Sequence, residues 1–167
     1  MPGFTTHYIM GMKAYNDMPS NTLKHIISKY RWLYQLGLQG PDIFFYNIPI
    51  LRHQDYRNVG SHMHEHQVSQ FFDCCLRHIG LISSRQQKEE AVAYLAGFIN
   101  HYIADSICHP FIYGRIGYDI NEPSTKNHGL HAALENELDA ILLWKYKKKK
   151  PSEFNQTASI CLNGQEL

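Results

Sequence analysis

His101-Tyr-Ile-Ala-Asp105-Ser-Ile-Cys-His109-Pro110 is the stretch on which the reading of this chain turns. Just upstream, Ala91, Leu95, Phe98 and Tyr102, with Val92, Ile99 and Ile103, recur at the helical period. The stretch therefore closes a helix that starts after the Ser83-Ser84 cap. Pro110 forbids continuation, which predicts an end at Cys108. On such a helix His101, Asp105 and His109 stand four residues apart, one above the other on a single face. Imidazole nitrogen and carboxylate oxygen are zinc ligands, and a row of them aimed at one space is seldom needed for folding. The first implication is a metal site with more than one ion. Gly97, one turn earlier on the same face, leaves room for an ion or a substrate, or lets another element pack close.

Working outward, a fourth helix is predicted over 128–147, with Leu130, Leu134, Leu138, Ile141 and Leu142 inward. It repeats the device: His131 and Glu135 are one turn apart, and Asp139 continues the row. A second helix, from Gly60 or Ser61 to 78–80, carries Met63, Val68, Phe71, Phe72, Cys75, Leu76 and Ile79. Its His62, His64 and His66 point in different directions, because each helical residue turns about 100°. They cannot all serve one ion. Val68 stands where the second histidine of H-E-x-x-H belongs, which excludes a zincin. A first helix, capped by Ser20, runs through Leu23, Ile26, Ile27, Tyr30, Leu33 and Tyr34 until Gly37 and Gly40 stop it. Gln39-Gly-Pro-Asp42 is a turn. Residues 43–59 and 111–127 read as irregular, and 151–167 as a tail behind one domain at 1–150. No repeat is present and no alternation is long enough for a sheet, so the fold class is all-α.

Composition narrows the chemistry. Histidine is the outlier, with 11 copies against 16 basic and 15 acidic residues. As the commonest metal ligand, it shifts the expectation toward a metalloprotein. A net charge of +1 argues against a general or sequence-specific nucleic-acid surface. The four cysteines form no C-x-x-C pair and read as reduced, mostly small apolar core residues. No run reaches the roughly 18 apolar residues that a transmembrane segment requires. Met1–His7 lacks the features of a signal peptide, so the expected compartment is the cytoplasm. The Lys147–Lys150 run complements a helix C-terminus and is otherwise a solvated face. An HD-type phosphohydrolase needs a His-Asp dipeptide and a ferritin-like di-iron protein needs Glu-x-x-His. Neither occurs here.

Several segments together resemble a family. Asp42 in Gly40-Pro-Asp-Ile-Phe-Phe45, Gly60-x-x-Met63-His64, His101-Tyr-x-x-Asp105 with His109, and His131-x-x-x-Glu135 follow the order seen in the zinc-dependent phospholipase C family. That family is similar to the single-strand-specific zinc nucleases. The resemblance implies a compact multi-helix bundle around a polynuclear site of two or three zinc ions. Asp42, His64, His101 and Asp105 would hold one ion. His109, His131 and Glu135 would hold a second. His7 would join a third, with Asp105 bridging it to the first. Asp42 also matches the position of a proposed general base. The implied activity is phosphoester hydrolysis by zinc-activated water, on a phosphoester substrate such as a phospholipid. The alternatives are a nuclease-type phosphodiesterase and a non-catalytic, zinc-stabilised helical binding module. Phe44, Phe45 and Tyr46 are candidates for the cleft wall or for core packing. Secreted members of the family use a terminal amine and a Trp as ligands, where this chain has Met1-Pro2. The Asp105–His109 spacing is shorter than in those members and implies a different local turn.

Overall fold

The computed structural model describes residues 3–45, 59–118 and 125–155. Expectations resting on Tyr46, Pro49, Asn58, Pro123 and Cys161 fall outside these residues. The described elements are α1 (Phe4–Asp17), α2 (Thr22–Lys29), α3 (Arg31–Gly37), a 3-10 turn (Gly40–Phe45), α4 (Val59–Glu65), α5 (Val68–Leu81), α6 (Arg85–Ile116) and α7 (Thr125–Lys147), then a short 3-10 turn at Pro151–Glu153. No strand occurs among the described residues, and the fold is all-α. No helix among them is long and apolar enough to cross a membrane.

α6 is the axis of the molecule. Ser84 caps it, its hydroxyl oxygen accepting from the Gln87 amide at 3.4 Å. It does not stop at Cys108: Pro110 lies inside the helix, which runs on to Ile116. Interior proline costs about 3 kcal/mol through a lost backbone bond. Pro110 and Ser106 are both exposed, so water can reach the carbonyl left without its amide. Beyond the proline, Ile112 is fully buried and Tyr113 stacks on His109, contacts that only a continued helix makes. The true terminator is Gly117, at φ +63°, whose amide donates to the Tyr113 carbonyl. The expected loop from residue 111 is thus helix as far as Ile116, and the chain is helical again from Thr125.

Against α6 packs α3, at a crossing made by two glycines. A Cβ on Gly97 would strike the Tyr34 carbonyl oxygen, and one on Gly37 the Tyr94 carbonyl oxygen. Gly97 therefore serves helix packing rather than ligand space, and Gly37 is a contact residue of α3 as well as its last residue. The expected single helix over 20–36 is two helices, hinged at buried Tyr30, with Asn21 rather than Ser20 as the cap. Met12, Ile27, Tyr34 and Leu38 form a core cluster. The Tyr34 hydroxyl donates to the Gly11 carbonyl at 2.8 Å. α1, which was not foreseen as a helix, faces this core with Thr5, Ile9 and Met12 at helical spacing.

The expected second helix is also two. Gln67 sits at φ +53° between α4 and α5 and breaks the run. None of the α5 residues is fully buried: Leu76 and Cys74 are exposed and Cys75, like Cys108 on α6, is half-buried, so these cysteines are not core residues. On α7, Leu134, Leu138 and Leu142 are half-buried and Leu143 is buried, whereas Leu130 and Ile141 face solvent. The inward face is narrower than the apolar pattern implies, because α7 packs on α1 and α6 along one side only. Past α7 the chain folds back, and Phe154 lies 5.6 Å from the Tyr8 ring.

Candidate metal centre

Five elements converge on one region. α1 brings His7, the 3-10 turn brings Asp42, α4 brings His64, α6 brings His101, Asp105 and His109, and α7 brings His131 and Glu135. Gly40 lets the Asp42 turn close in: its φ is +51°, and a Cβ there would collide with the His101 ring.

The first cluster is buried. His64 Nε2 lies 3.1 Å from Asp42 Oδ1 and 3.3 Å from Asp105 Oδ2. His101 Nε2 lies 3.5 Å from Asp42 Oδ1, 3.3 Å from Asp105 Oδ2 and 3.4 Å from His64 Nε2. Four atoms held tetrahedrally at 2.0–2.1 Å from one zinc are separated by about 3.3 Å. Five of the six edges here are within a few tenths of an ångström of that spacing. The tautomers agree with it. His101 Nδ1 donates to the Leu38 carbonyl at 3.1 Å and His64 Nδ1 to the Gly60 carbonyl at 2.7 Å. With the proton on Nδ1, each neutral ring would present its Nε2 lone pair inward, beside the other ring and two carboxylates, an arrangement that suits a cation.

Asp105 divides its oxygens. While Oδ2 faces His64 and His101, Oδ1 lies 3.3 Å from His7 Nε2. His7 is fully buried and stacks on His101 with centroids 4.0 Å apart. Both its nitrogens lack a hydrogen-bond partner, as do Asp42 Oδ1, both Asp105 oxygens and His109 Nε2. Buried polar atoms are rarely left so, and metal ions bound in the separate clusters would satisfy most of them.

The second cluster, His109, His131 and Glu135, has ligand atoms all within 4.8 Å of one another. His131 Nε2 is 2.5 Å from Glu135 Oε1. Tyr113 is stacked between His109 and Tyr118, at 5.2 and 4.7 Å. This cluster opens on a cleft of about 860 Å³. His64 and Asp105 reach the same cleft, which Phe45, Tyr102, Tyr113 and Tyr118 wall. Of the aromatics after Asp42, Phe45 lines the cleft and Phe44 does not. The tyrosines were not singled out in the sequence, although Tyr113 and His109 share the i,i+4 spacing of a helix face.

Protonation differs between the clusters in the metal-free protein. Burial alone would lower His64, but the Asp105 and Asp42 carboxylates facing it outweigh burial and carry the group up to about 10. Burial would raise Asp105, yet His101, His64 and His7 hold it far below the usual carboxylate range. Burial lowers His7, despite the pull of Asp105. Burial also lowers His109, to about 4, and raises Glu135.

A family model described as zinc-dependent phospholipase C matches residues 6–162. The chain belongs to that family. No curated protein and no solved structure matches it. Among the described residues of this zinc-dependent phospholipase C family member, three groups of side chains could hold a metal ion: His7 with His101 and Asp105, Asp42 with His64 and His101, and His109 with His131 and Glu135. All eight residues named from the sequence fall within these groups. One other reading does not fit them. Asp139, which continued the row on α7, has its carboxylate bound to the start of α1 instead. His66 is exposed and turns toward Glu65, at 3.8 Å.

Proposed function

We propose that this protein is a zinc-dependent phosphoester hydrolase of the phospholipase C type, with residues 1–150 as its catalytic domain. Asp42, His64, His101 and Asp105 would hold one zinc. His109, His131 and Glu135 would hold a second, and His7 with Asp105 a third. The observation that carries the reading is the set of orphaned, buried imidazole and carboxylate atoms at zinc-ligand spacing beside an open cleft. Bound there, zinc would supply Lewis-acid polarisation of a phosphoryl oxygen and a water of lowered pKa.

The chain's own residues set the rest. The second cluster offers three protein side chains on the cleft side, the number found in catalytic rather than closed structural zinc sites. This supports the enzyme over the zinc-stabilised binding module. No Lys or Arg is among the described residues that line the cleft, and Glu65 adds a carboxylate. Such a wall disfavours polyanionic substrates, including nucleic acid. Its tyrosines and Phe45 suit a substrate with apolar and weakly polar surface around a single phosphodiester, as in a phospholipid. Asp42 serves as ligand and as proton acceptor in this reading.

The test is turnover by the zinc-loaded full chain on a panel of phospholipids, nucleotides and chromogenic phosphoesters. Phospholipid or a simple diester should be cleaved, chelator should abolish turnover, and zinc should restore it. Asp42→Asn should lose more turnover than its loss of zinc explains. A panel with no cleaved substrate, on protein holding its full zinc, would sink the hydrolase reading in favour of a structural zinc protein.

A further inference from the structure

We propose that Asp139 is a positioning residue: it clamps the first turn of α1 and thereby sets His7 at the metal centre. The proposal rests on the reading of His7 and Asp105 as the ligands of one ion. The first four amides of a helix have no partner within it. In α1 the N-cap is Gly3, which has no side chain to accept from them. A residue 133–134 positions away does so instead. Thr5 N donates to Asp139 Oδ2 at 3.1 Å, Thr6 N to Asp139 Oδ1 at 2.8 Å, and the Thr6 hydroxyl to Asp139 Oδ1 at 2.6 Å. A carboxylate is the favoured charge at a helix N-terminus. Gly3 is what admits it, since any Cβ there would overlap the Asp139 carboxylate.

His7 depends on this clamp more than the other histidines depend on their helices. His64 and His101 are each oriented by a carbonyl on Nδ1. His7 has no such bond on either nitrogen. Its ring is placed by stacking on His101, by Asp105 Oδ1 at 3.3 Å, and by where the first turn of α1 lies. That turn is set from α7, where Asp139 stands one turn beyond Glu135 and two beyond His131. The helix that carries half of the second cluster therefore also locates the ligand of the third ion. Asp139 is itself in none of the metal-capable groups among the described residues.

The experiment uses the full chain in wild-type, Asp139→Ala, Asp139→Asn, Thr6→Val and His7→Ala forms. Zinc per chain and the affinity of each ion are measured by titration, and amide exchange of Thr5, Thr6 and His7 is followed on metal-free protein. Asp139→Ala should weaken the ion that His7→Ala removes, on the order of tenfold as for other residues that orient a ligand. The remaining zinc should stay bound. Asp139→Asn keeps one accepting oxygen and should fall between Asp139→Ala and the wild type. Exchange at Thr6 and His7 should rise in Asp139→Ala. If Asp139→Ala does not fold, Thr6→Val, which removes one bond and keeps the shape, should show a smaller but equally selective weakening. Uniform weakening of all ions, or unchanged zinc binding in both the Asp139 and Thr6 variants, would overturn the positioning role while the metal reading stands. A wild type that takes up no zinc would overturn the metal reading and the positioning role with it.

Discussion

The two clusters on α6 are built from the same residue types and behave as different kinds of site. The Asp42–His64–His101–Asp105 cluster draws on three elements and is mostly buried, with only His64 and Asp105 reaching the cleft. Its imidazoles are locked by backbone carbonyls and its edges match the spacing of a single ion. The His109–His131–Glu135 cluster is half-buried, faces the cleft and leans on tyrosine rings. The contrast is one of charge as well as access. The first cluster sets two carboxylates beside His64 and His101, and in the metal-free protein this favours a proton on His64. In the second, burial keeps His109 neutral and ready to bind near neutral pH. An ion entering the first cluster would displace the His64 proton. An ion entering the second need not displace one from His109.

The largest effect expected is from Asp105→Asn. Its two oxygens face His7 on one side and His64 and His101 on the other, so the change should weaken two ions together, by more than about a hundredfold. Zinc analysis after dialysis checks this, and loss of one ion alone would break the bridging assignment. Next in size, His109→Ala should deplete only the cleft-side ion, with helicity unchanged by circular dichroism. Loss of all zinc would mean that the clusters are not separable.

The charge contrast gives a pH test on metal-free protein. His64 has a folded pKa of about 10 against 6.5 for the free group. Its contribution to stability is complete below pH 6.5 and is lost as pH rises through 10. Asp105 is shifted down from 3.8, so its contribution is present above that value and is lost on acidification. Thermal melting of the metal-free chain should therefore fall from pH 7 to 10, and His64→Gln should flatten the slope. Zinc added at pH 7.5 in weak buffer should release protons from wild type and fewer from His64→Gln. The smallest effect is a control: His66→Ala, at an exposed ring one residue past the short helix that carries His64, should leave zinc content and melting unchanged.

How much of this was legible follows from the range of each interaction. The row His101, Asp105, His109 and the pair His131, Glu135 are local patterns. Helical periodicity alone sets each on one face, so their grouping needed no tertiary information. The all-α class and the Ser84 cap are local in the same sense. Where the reading failed, the deciding contact lay far along the chain. Pro110 is a local stop signal, but burial of Ile112 and the Tyr113 stack outweigh it. Gly37 and Gly97 look like punctuation and spare room until α3 and α6 meet through them. The break at Gln67 has no mark in the residues around it. Asp139 reads as the next member of a ligand row, and only the packing of α7 against α1 turns its carboxylate to the amides of Thr5 and Thr6. Sequence by itself determined which side chains could bind metal and which of them share a helix face, because spacing along one helix is a property of the backbone. Tertiary structure alone decided that five elements bring them together, which oxygens of Asp105 face which histidines, and which cluster opens to the cleft, because these depend on how separate elements approach one another.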